Sequence, residues 1–343
     1  MLEIDATHGG QVLRVSLGLS AMLERDIKLT NIRASRPNPG LQQQHLAAVR
    51  TLRHFCNATV KGDVKGAREL SFIPKKYAGG SINVNIGTAG SSLLLVQSLL
   101  LPSILKKTKA RIAGGTDVPF APTFAHAENV LLPLLKGMNA KFELSLFSHG
   151  FYPKGNGSIS FSSQPAKLPL KRICMKEQGS IESIEIFSQS CSLPKEVAIT
   201  QAASARKALQ AFANVDVLEN LSSAGTSSST GSSIDIICRT SKGCHLGVNA
   251  LGARGKPAAA VGKEAADAMI SVLKSGAAVD NHSSDQLIPF MAMAKGRNEI
   301  SVREITEHCK TCIGVAETFF GKRFEIIQEG ELSTILCEGV SYQ

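Results

Sequence analysis

His308, in the stretch TEHCKTCIGVAETFFGKRF, titrates near neutrality and can act as a nucleophile, a proton carrier, a metal ligand or a half-buried structural group. Residue type alone selects none of these. Cys309 and Cys312 beside it form a CxxC pair, which raises zinc or redox chemistry, but no second CxxC or HxxxH supplies the remaining ligands of a tetrahedral site. Arg33 and Arg36 fall in RASRPNPGLQQQH, where two forked, permanently charged groups could grip phosphates or simply be solvated. Glycine-bearing turns recur at GGQVLR (9–14), GTAGSS (87–92), GGTDVPFAP (114–122) and HGFYPKGNG (149–157), and such turns let backbone N–H groups approach an anion closely. Asp285, in SSDQL at 283–287, could fix an imidazole tautomer, help organise a cation, or cap the helix LIPFMAMA that follows it.

These residues need rigid elements behind them, and strand-like and helix-like patterns alternate along the chain. VLRVSLGLSAML (12–23) and LQQQHLAAVRTLRHFC (41–56) place apolar residues at helical spacing, with IKLTNIRA (27–34) and INVNIG (82–87) reading as strands. A glycine-bearing turn followed by an amphipathic helix recurs in GTAGSSLLLVQSLLLPSIL, GTDVPFAPTFAHAENVLLPLLKGM and DNHSSDQLIPFMAMA. Recurrence at roughly 80-residue spacing suggests duplicated α/β modules. A Pro/Lys connection in 158–180 marks a boundary, after which IESIEIFSQS and EVAITQAASARKALQAF open a different unit. The Ser/Thr/Gly-rich segment 221–237 reads as a mobile surface loop before a strand; a phosphate-binding loop is the rival reading, without a GxxxxGK[ST] pattern or a following helix. A helix at 255–276 returns the chain to the first unit.

The chain has 343 residues, enough for two domains or one with a large insertion. Its formal net charge of +10 favours polyanionic partners, and no polybasic tail is present. Aromatic residues make up only 5%, with no Trp, so the core must rest on Leu, Ile, Val and Ala, and stacking is not expected to be the main binding device. Eight irregularly spaced cysteines without a signal peptide fit reduced thiols in a cytoplasmic setting. The most apolar run, 91–105, is too short and too interrupted, by Gln97 and Pro102, for a membrane span.

Taken together, these motifs resemble the RNA 3'-terminal phosphate cyclase family over nearly the whole chain. HGGQVLR resembles that family's GGGQ(I/V)LR with Gln11 and Arg14 in place, and IRASRPNPGLQQQH closely matches IRAxRxxPGLxxQH. The resemblance implies that Arg14, Arg33, Arg36 and Gln44 handle triphosphate or RNA phosphate, and it adds Gln97 to the nucleotide contacts. GGTDVPFAP is similar to GGTDxPxAP, whose proline, here Pro122, packs on adenine; the opposite face, a tyrosine in bacterial members, falls on His282. Asp285 and Gln286 match the family's DQ pair, and His308 aligns with its nucleophile. The implied fold is α/β (α+β), a large domain of about three repeated βαβαββ modules over 1–180 and 277–343 with a smaller inserted α/β domain at 181–276. The implied reaction is attack of the His308 imidazole on the α-phosphorus of ATP, transfer of AMP to an RNA 3'-phosphate, and closure by the 2'-OH to a 2',3'-cyclic phosphodiester. It brings ATP, a divalent cation (Mg or Mn) and RNA with a 3'-phosphate end as partners, and it allows a homodimer. Family members carry a Glu before the glycines that helps bind metal; LEIDATHGGQ is a few residues shorter, with Thr7 at that spacing and His8 where a glycine is expected, so no metal ligand is assigned. A non-catalytic, cyclase-like protein of ribosome biogenesis is the alternative, and such relatives lack the nucleophilic histidine.

Overall fold

Short strands of alternating burial and amphipathic helices build the molecule, whose computed structural model describes residues 1–212, 216–224 and 229–343. The first unit runs β1 (Leu2–Asp5), α1 (Gly10–Leu23), β2 (Ile27–Thr30), α2 (Gln43–Cys56), β3 (Thr59–Lys61) and β4 (Leu70–Ile73). β1 and β2 are parallel, β2–β4 and β4–β3 antiparallel, giving the spatial order β1-β2-β4-β3. The strand expected over 27–34 ends at Thr30, because Asn31 and Arg33 take positive φ of 51° and 56° and turn the chain away from the sheet.

The same order appears twice more. β5 (Gly80–Asn85), α3 (Ser92–Leu100), β6 (Thr108–Gly114), a broken helix, β7 (Lys141–Ser148) and β8 (Gly157–Gln164) give β5-β6-β8-β7, again with the first pair parallel. The broken helix comprises α4 (Phe124–His126), a π turn at Ala127–Leu131 and α5 (Leu132–Gly137); Pro133, with no N–H to donate, lies where π geometry gives way to α. The third repeat starts at β9 (Cys174–Met175), a strand of two residues, and is interrupted at once. It resumes far downstream with α8 (Asn281–Met293), β14 (Lys295–Val302), α9 (Glu307–Phe320), β15 (Phe324–Glu329) and β16 (Leu332–Val340), and β9 pairs in parallel with β14. Its order, β9-β14-β16-β15, repeats the first two. The fold is therefore α/β with three repeated βαβαββ modules. Of the turn–helix segments that recur in the sequence, GTAGSS and GGTDVPFAP open the two helices of one module, and DNHSSDQ opens the third module's first helix.

Between β9 and α8 lies a fourth sheet: β10 (Ile181–Cys191), α6 (Lys195–Phe212), β11 (Val217–Ala224), β12 (Gly231–Thr240), β13 (His245–Leu251) and α7 (Ala258–Ser275), ordered β11-β10-β12-β13. The strand expected after the Ser/Thr/Gly-rich segment is present as β12, but it starts earlier, since Ser232 and Ser233 already pair antiparallel with β10, and Leu221–Ala224 belong to β11; residues 225–228 lie outside the described residues. Serine hydroxyls that find buried partners, Ser233 accepting from Gln189 Nε2 of β10 at 2.5 Å and Ser232 from Gln201 Nε2 of α6 at 2.9 Å, let a sequence without apolar periodicity form a buried strand. This sheet has its own apolar cluster, in which Ile184, Ile236 and Leu246 meet Ala205, Ala265 and Met269 of α6 and α7. The helices approach so closely that a Cβ at Gly262 would lie 2.1 Å from the Gln201 carbonyl oxygen. The three modules share a second cluster rich in Leu, Ile and Ala, including Leu13, Leu17, Val49, Leu99, Met291 and Ala316. No helix among the described residues is long and apolar enough to cross a membrane.

Candidate active site

α9 begins where the Thr306 hydroxyl accepts a hydrogen bond from the Cys309 N–H at 3.0 Å, an N-cap that leaves His308 exposed in the first turn. Cys309 and Cys312 point the other way, into the shared core, where burial raises the Cys309 thiol to about 12 and Cys312 well above its ordinary range. Cys312 Sγ accepts from Gln11 Nε2 at 3.2 Å. The CxxC pair thus sits at the seam between α9 and α1 and holds no thiolate at neutral pH.

α1 delivers Gln11 and Arg14. Its N-cap Gly9 has φ 122°, and a Cβ on Gly10 would come within 2.7 Å of His45 Nε2, so both positions require glycine. Arg14 Nη2 donates to Gln11 Oε1 at 2.5 Å, and burial lowers Arg14 to about 10, against the pull of Asp285 and Cys312; it stays cationic at neutral pH. Arg33 spends Nη1 on the carbonyls of Asn38 (2.5 Å) and Gly40 (3.0 Å), closing its own loop. Exposed Arg36 lies over the start of α1, its Nη2 3.5 Å from the His8 carbonyl. Gln44, in the first turn of α2, accepts from the Ser91 N–H at 3.4 Å.

α8 supplies the other wall. Asp280, not Asp285, caps it by accepting from the N–H groups of His282 (2.9 Å) and Ser283 (2.8 Å); Asp285 stands inside the helix. The capping reading of Asp285 is therefore wrong, because the helix starts earlier than its apolar run. Burial pushes the Asp285 carboxyl up to about 7, with Arg14 opposing and Asp280 reinforcing the rise. Gln286 Nε2 donates to the His282 carbonyl at 2.9 Å. Behind them His126, fully buried, lies 3.5 Å from Asp280 and edge-on to His282 with ring centroids 6.3 Å apart.

Two adjoining cavities result. One, of about 380 Å³, is lined by Arg14, Gln97, Pro122, His282, Asp285, Gln286 and His308 among others; the second, of about 640 Å³, by Arg14, Arg33, Arg36, Gln44 and His308. Arg14, Arg33, Arg36, Gln44, Gln97, Pro122, His282, Asp285, Gln286 and His308 each line one or both, whereas Cys309 and Cys312 face the core. Burial, then the charges of Arg14 and Arg36 and the His282 ring, lower the His308 pKa, leaving its imidazole neutral and nucleophilic at pH 7. The arrangement is a pocket bordered by Pro122 and His282, a cation-lined pocket beside it, and the His308 imidazole opening into both.

The family model for RNA 3'-terminal phosphate cyclase matches residues 6–326. The chain belongs to the RNA 3'-terminal phosphate cyclase family. It is 41% identical to the RNA 3'-terminal phosphate cyclase of Pyrococcus abyssi over 338 residues, covering 97% of this chain and 96% of that one. Identity to the Methanosarcina barkeri protein of the same name is 40% over 331 residues (95% and 96%), and to that of Pyrobaculum aerophilum 39% over 348 residues (99% of each).

Within this family fold several site residues escaped the sequence reading. His45 lines the cation-rich cavity, accepts from the Gln42 N–H through Nδ1 at 3.0 Å, and is lowered to about 3 by burial and by Arg14 and Arg33. His126 and Asp280 support α8 from below. Phe120 and Tyr152 line the larger cavity while remaining 103% and 69% exposed. The spacing of Gln42 and His45 at a helix start was the one legible signal among these.

Proposed function

We propose that the chain converts an RNA 3'-terminal phosphate to a 2',3'-cyclic phosphodiester, using ATP and a covalent adenylate on His308. The observation that carries this reading is that His308 is the one nucleophilic side chain common to both cavities among the described residues. Adenine would pack on Pro122 beside His282, with Gln97 and Gln286 at its edge, and the phosphates would face Arg14, Arg36 and Gln44. The neutral His308 nitrogen attacks the α-phosphorus, forming a P–N bond as the bond to pyrophosphate breaks; Arg14 and Arg36 stabilise the charge on the phosphate oxygens. An oxygen of the RNA 3'-phosphate then takes the AMP and frees His308. Finally the 2'-OH attacks the 3'-phosphorus, loses its proton, closes the ring and expels AMP. Arg33, already bonded to Asn38 and Gly40, holds the loop that presents Arg36.

A divalent cation would neutralise phosphate charge in these steps. Among the described residues no group of three or more His, Cys, Asp or Glu could cage one. The residues present suit a cation carried in by the triphosphate and met by the single carboxylate of Asp285. We further propose that 1–180 with 277–343 forms the large domain and 181–276 the inserted one, a division supported by the separate sheet and apolar cluster of the latter.

Incubation with α-labelled ATP and Mg or Mn is expected to give an acid-labile, base-stable protein adduct that His308→Asn cannot form. RNA ending in a 2'-deoxy, 3'-phosphorylated nucleotide is expected to accept AMP and stall, because no hydroxyl remains to close the ring. A labelled His308→Asn protein would place the nucleophile elsewhere, and a wild-type protein unlabelled with every cation would be the non-catalytic alternative.

A further inference from the structure

The solvent face of the sheet β5-β6-β8-β7 differs in chemistry from the site beside it, and nothing in the adenylylation chemistry uses it. Lys109 and Arg111 point outward from β6, registered against Ser162 and Ser160 of β8. Ser81 and Asn83 of β5 lie across from the same two residues, and together they border a shallow groove of about 500 Å³. Phe147 sits in an irregularity of β7 between Leu146 and Ser148, is 56% exposed, and lies under the Arg111 guanidinium at 4.5 Å from its centroid. An exposed aromatic ring, a guanidinium over it and a floor of hydroxyl and amide groups are the elements with which proteins hold unpaired nucleotides: a stacking plane, a charge for the backbone, and donors and acceptors for base edges and 2'-OH groups.

The position of this face matches its chemistry. Of the four exposed aromatic side chains among the described residues, Phe120, Phe147, Tyr152 and Phe212, the first three belong to this one module. The β7–β8 connection carries Tyr152 and Lys154 from the Phe147 strand to the cation-lined cavity, and it is fixed there because Gly155 approaches the Ala89 backbone too closely for a Cβ, at 2.8 Å. Phe147 and Tyr152 are five residues apart, so at most roughly 17 Å separates them, about the rise of five stacked nucleotides at ~3.4 Å each. The equivalent outward positions of the third module mix Lys295 and Arg297 with Glu299, Glu325, Glu329 and Glu338, Arg297 being registered against Glu338 and Glu299 paired with Lys176 at 3.0 Å, so that face holds no comparable run of unopposed cations.

We propose that this face, with Phe147 beneath Arg111 at its β7 edge, binds the unpaired nucleotides immediately preceding the RNA 3' end, so that the substrate is a single-stranded tail rather than a terminal nucleotide alone. The inference rests on the function proposed above for the RNA-end cavity. Glu143, which accepts from Ser162 at 3.2 Å, bounds the track, because a carboxylate at that point opposes further backbone. The tail therefore runs from the Arg36 cavity past Tyr152 to Phe147 and Arg111.

Fluorescence anisotropy with 5'-labelled, 3'-phosphorylated oligoribonucleotides of about three and twelve nucleotides tests this on the full-length protein. Wild type is expected to bind the longer RNA at least about tenfold more tightly. The double variant Phe147→Ser/Arg111→Gln is expected to erase that difference while its affinity for the short RNA and its RNA-independent labelling by ATP stay unchanged. Glu143→Gln should tighten the longer RNA alone, and pairing the 3' tail into a duplex should remove the length effect. Equal affinity for both lengths in wild type, or an unchanged length effect in the double variant, would overturn the proposal. Failure of ATP labelling with the length effect intact would sink the catalytic reading and leave the track standing.

Discussion

Asp285 and His308 line the same cavity and depart from their ordinary titration in opposite directions. The imidazole, lowered from 6.5, is already neutral at pH 7, whereas the carboxyl, raised to about 7, becomes charged only as pH passes through that value. If the carboxylate form is the one that assists adenylylation, the rate of ATP self-labelling should rise between pH 6 and 8 with a midpoint near 7, and Asp285→Asn should remove the inflection. A wild-type profile already flat from pH 6.5 upward would take Asp285 out of the step. His308, Arg33 and Arg36 were legible in the sequence because short motifs mark them. His126 was not, and His45 only through its spacing from Gln42 at a helix start, because what makes them notable is burial beside charges, and burial of a polar residue leaves no periodic trace.

At the scale of elements, the start of α4 is tied to β12 by a hydrogen bond from the Thr123 hydroxyl to Asp235, whose second carboxyl oxygen is buried without a partner. Burial, reinforced by Asp117, pushes the Asp235 carboxyl up to about 7. The native state therefore holds a proton that the unfolded chain has released above about 3.8, so stability falls as pH rises from 3.8 to 7 and then levels. Asp235→Asn keeps the acceptor for Thr123 and removes the charge. Its melting temperature should exceed wild type by a few degrees at pH 8 and by less at pH 5, read by calorimetry; an equal effect at both would mean that Asp235 is ionised throughout. Helices α1, α2, α6 and α7 were readable from their apolar spacing, whereas β9 was not, since two residues carry no pattern. Only the start of β12 reads as loop, because Ser232 and Ser233 are polar and find partners in Gln201 and Gln189.

For the whole molecule, three modules with one strand order explain why the sequence shows a repeat near 80 residues, and the insertion between β9 and α8 explains why the third copy is hard to see. Helices of the modules meet in a common core while sheet faces turn outward, so each module is free to specialise its exposed face. The net charge of +10 is spread along the chain, and its bearing on RNA depends on which cations lie along the track. If Arg36, Lys109, Arg111 and Lys154 each meet one phosphate, the affinity for a twelve-nucleotide RNA should fall with salt at a logarithmic slope of roughly −3, from four contacts at about 0.7 each for a single strand. Between 50 and 200 mM salt that is a loss of about sixtyfold. Arg111→Gln should make the slope shallower by about 0.7, and a three-nucleotide RNA should show a slope closer to −1, since it reaches only the cavity. A slope that does not change with RNA length would mean that the long RNA is held by the end cavity alone, leaving the outward charges of the second sheet to solvent.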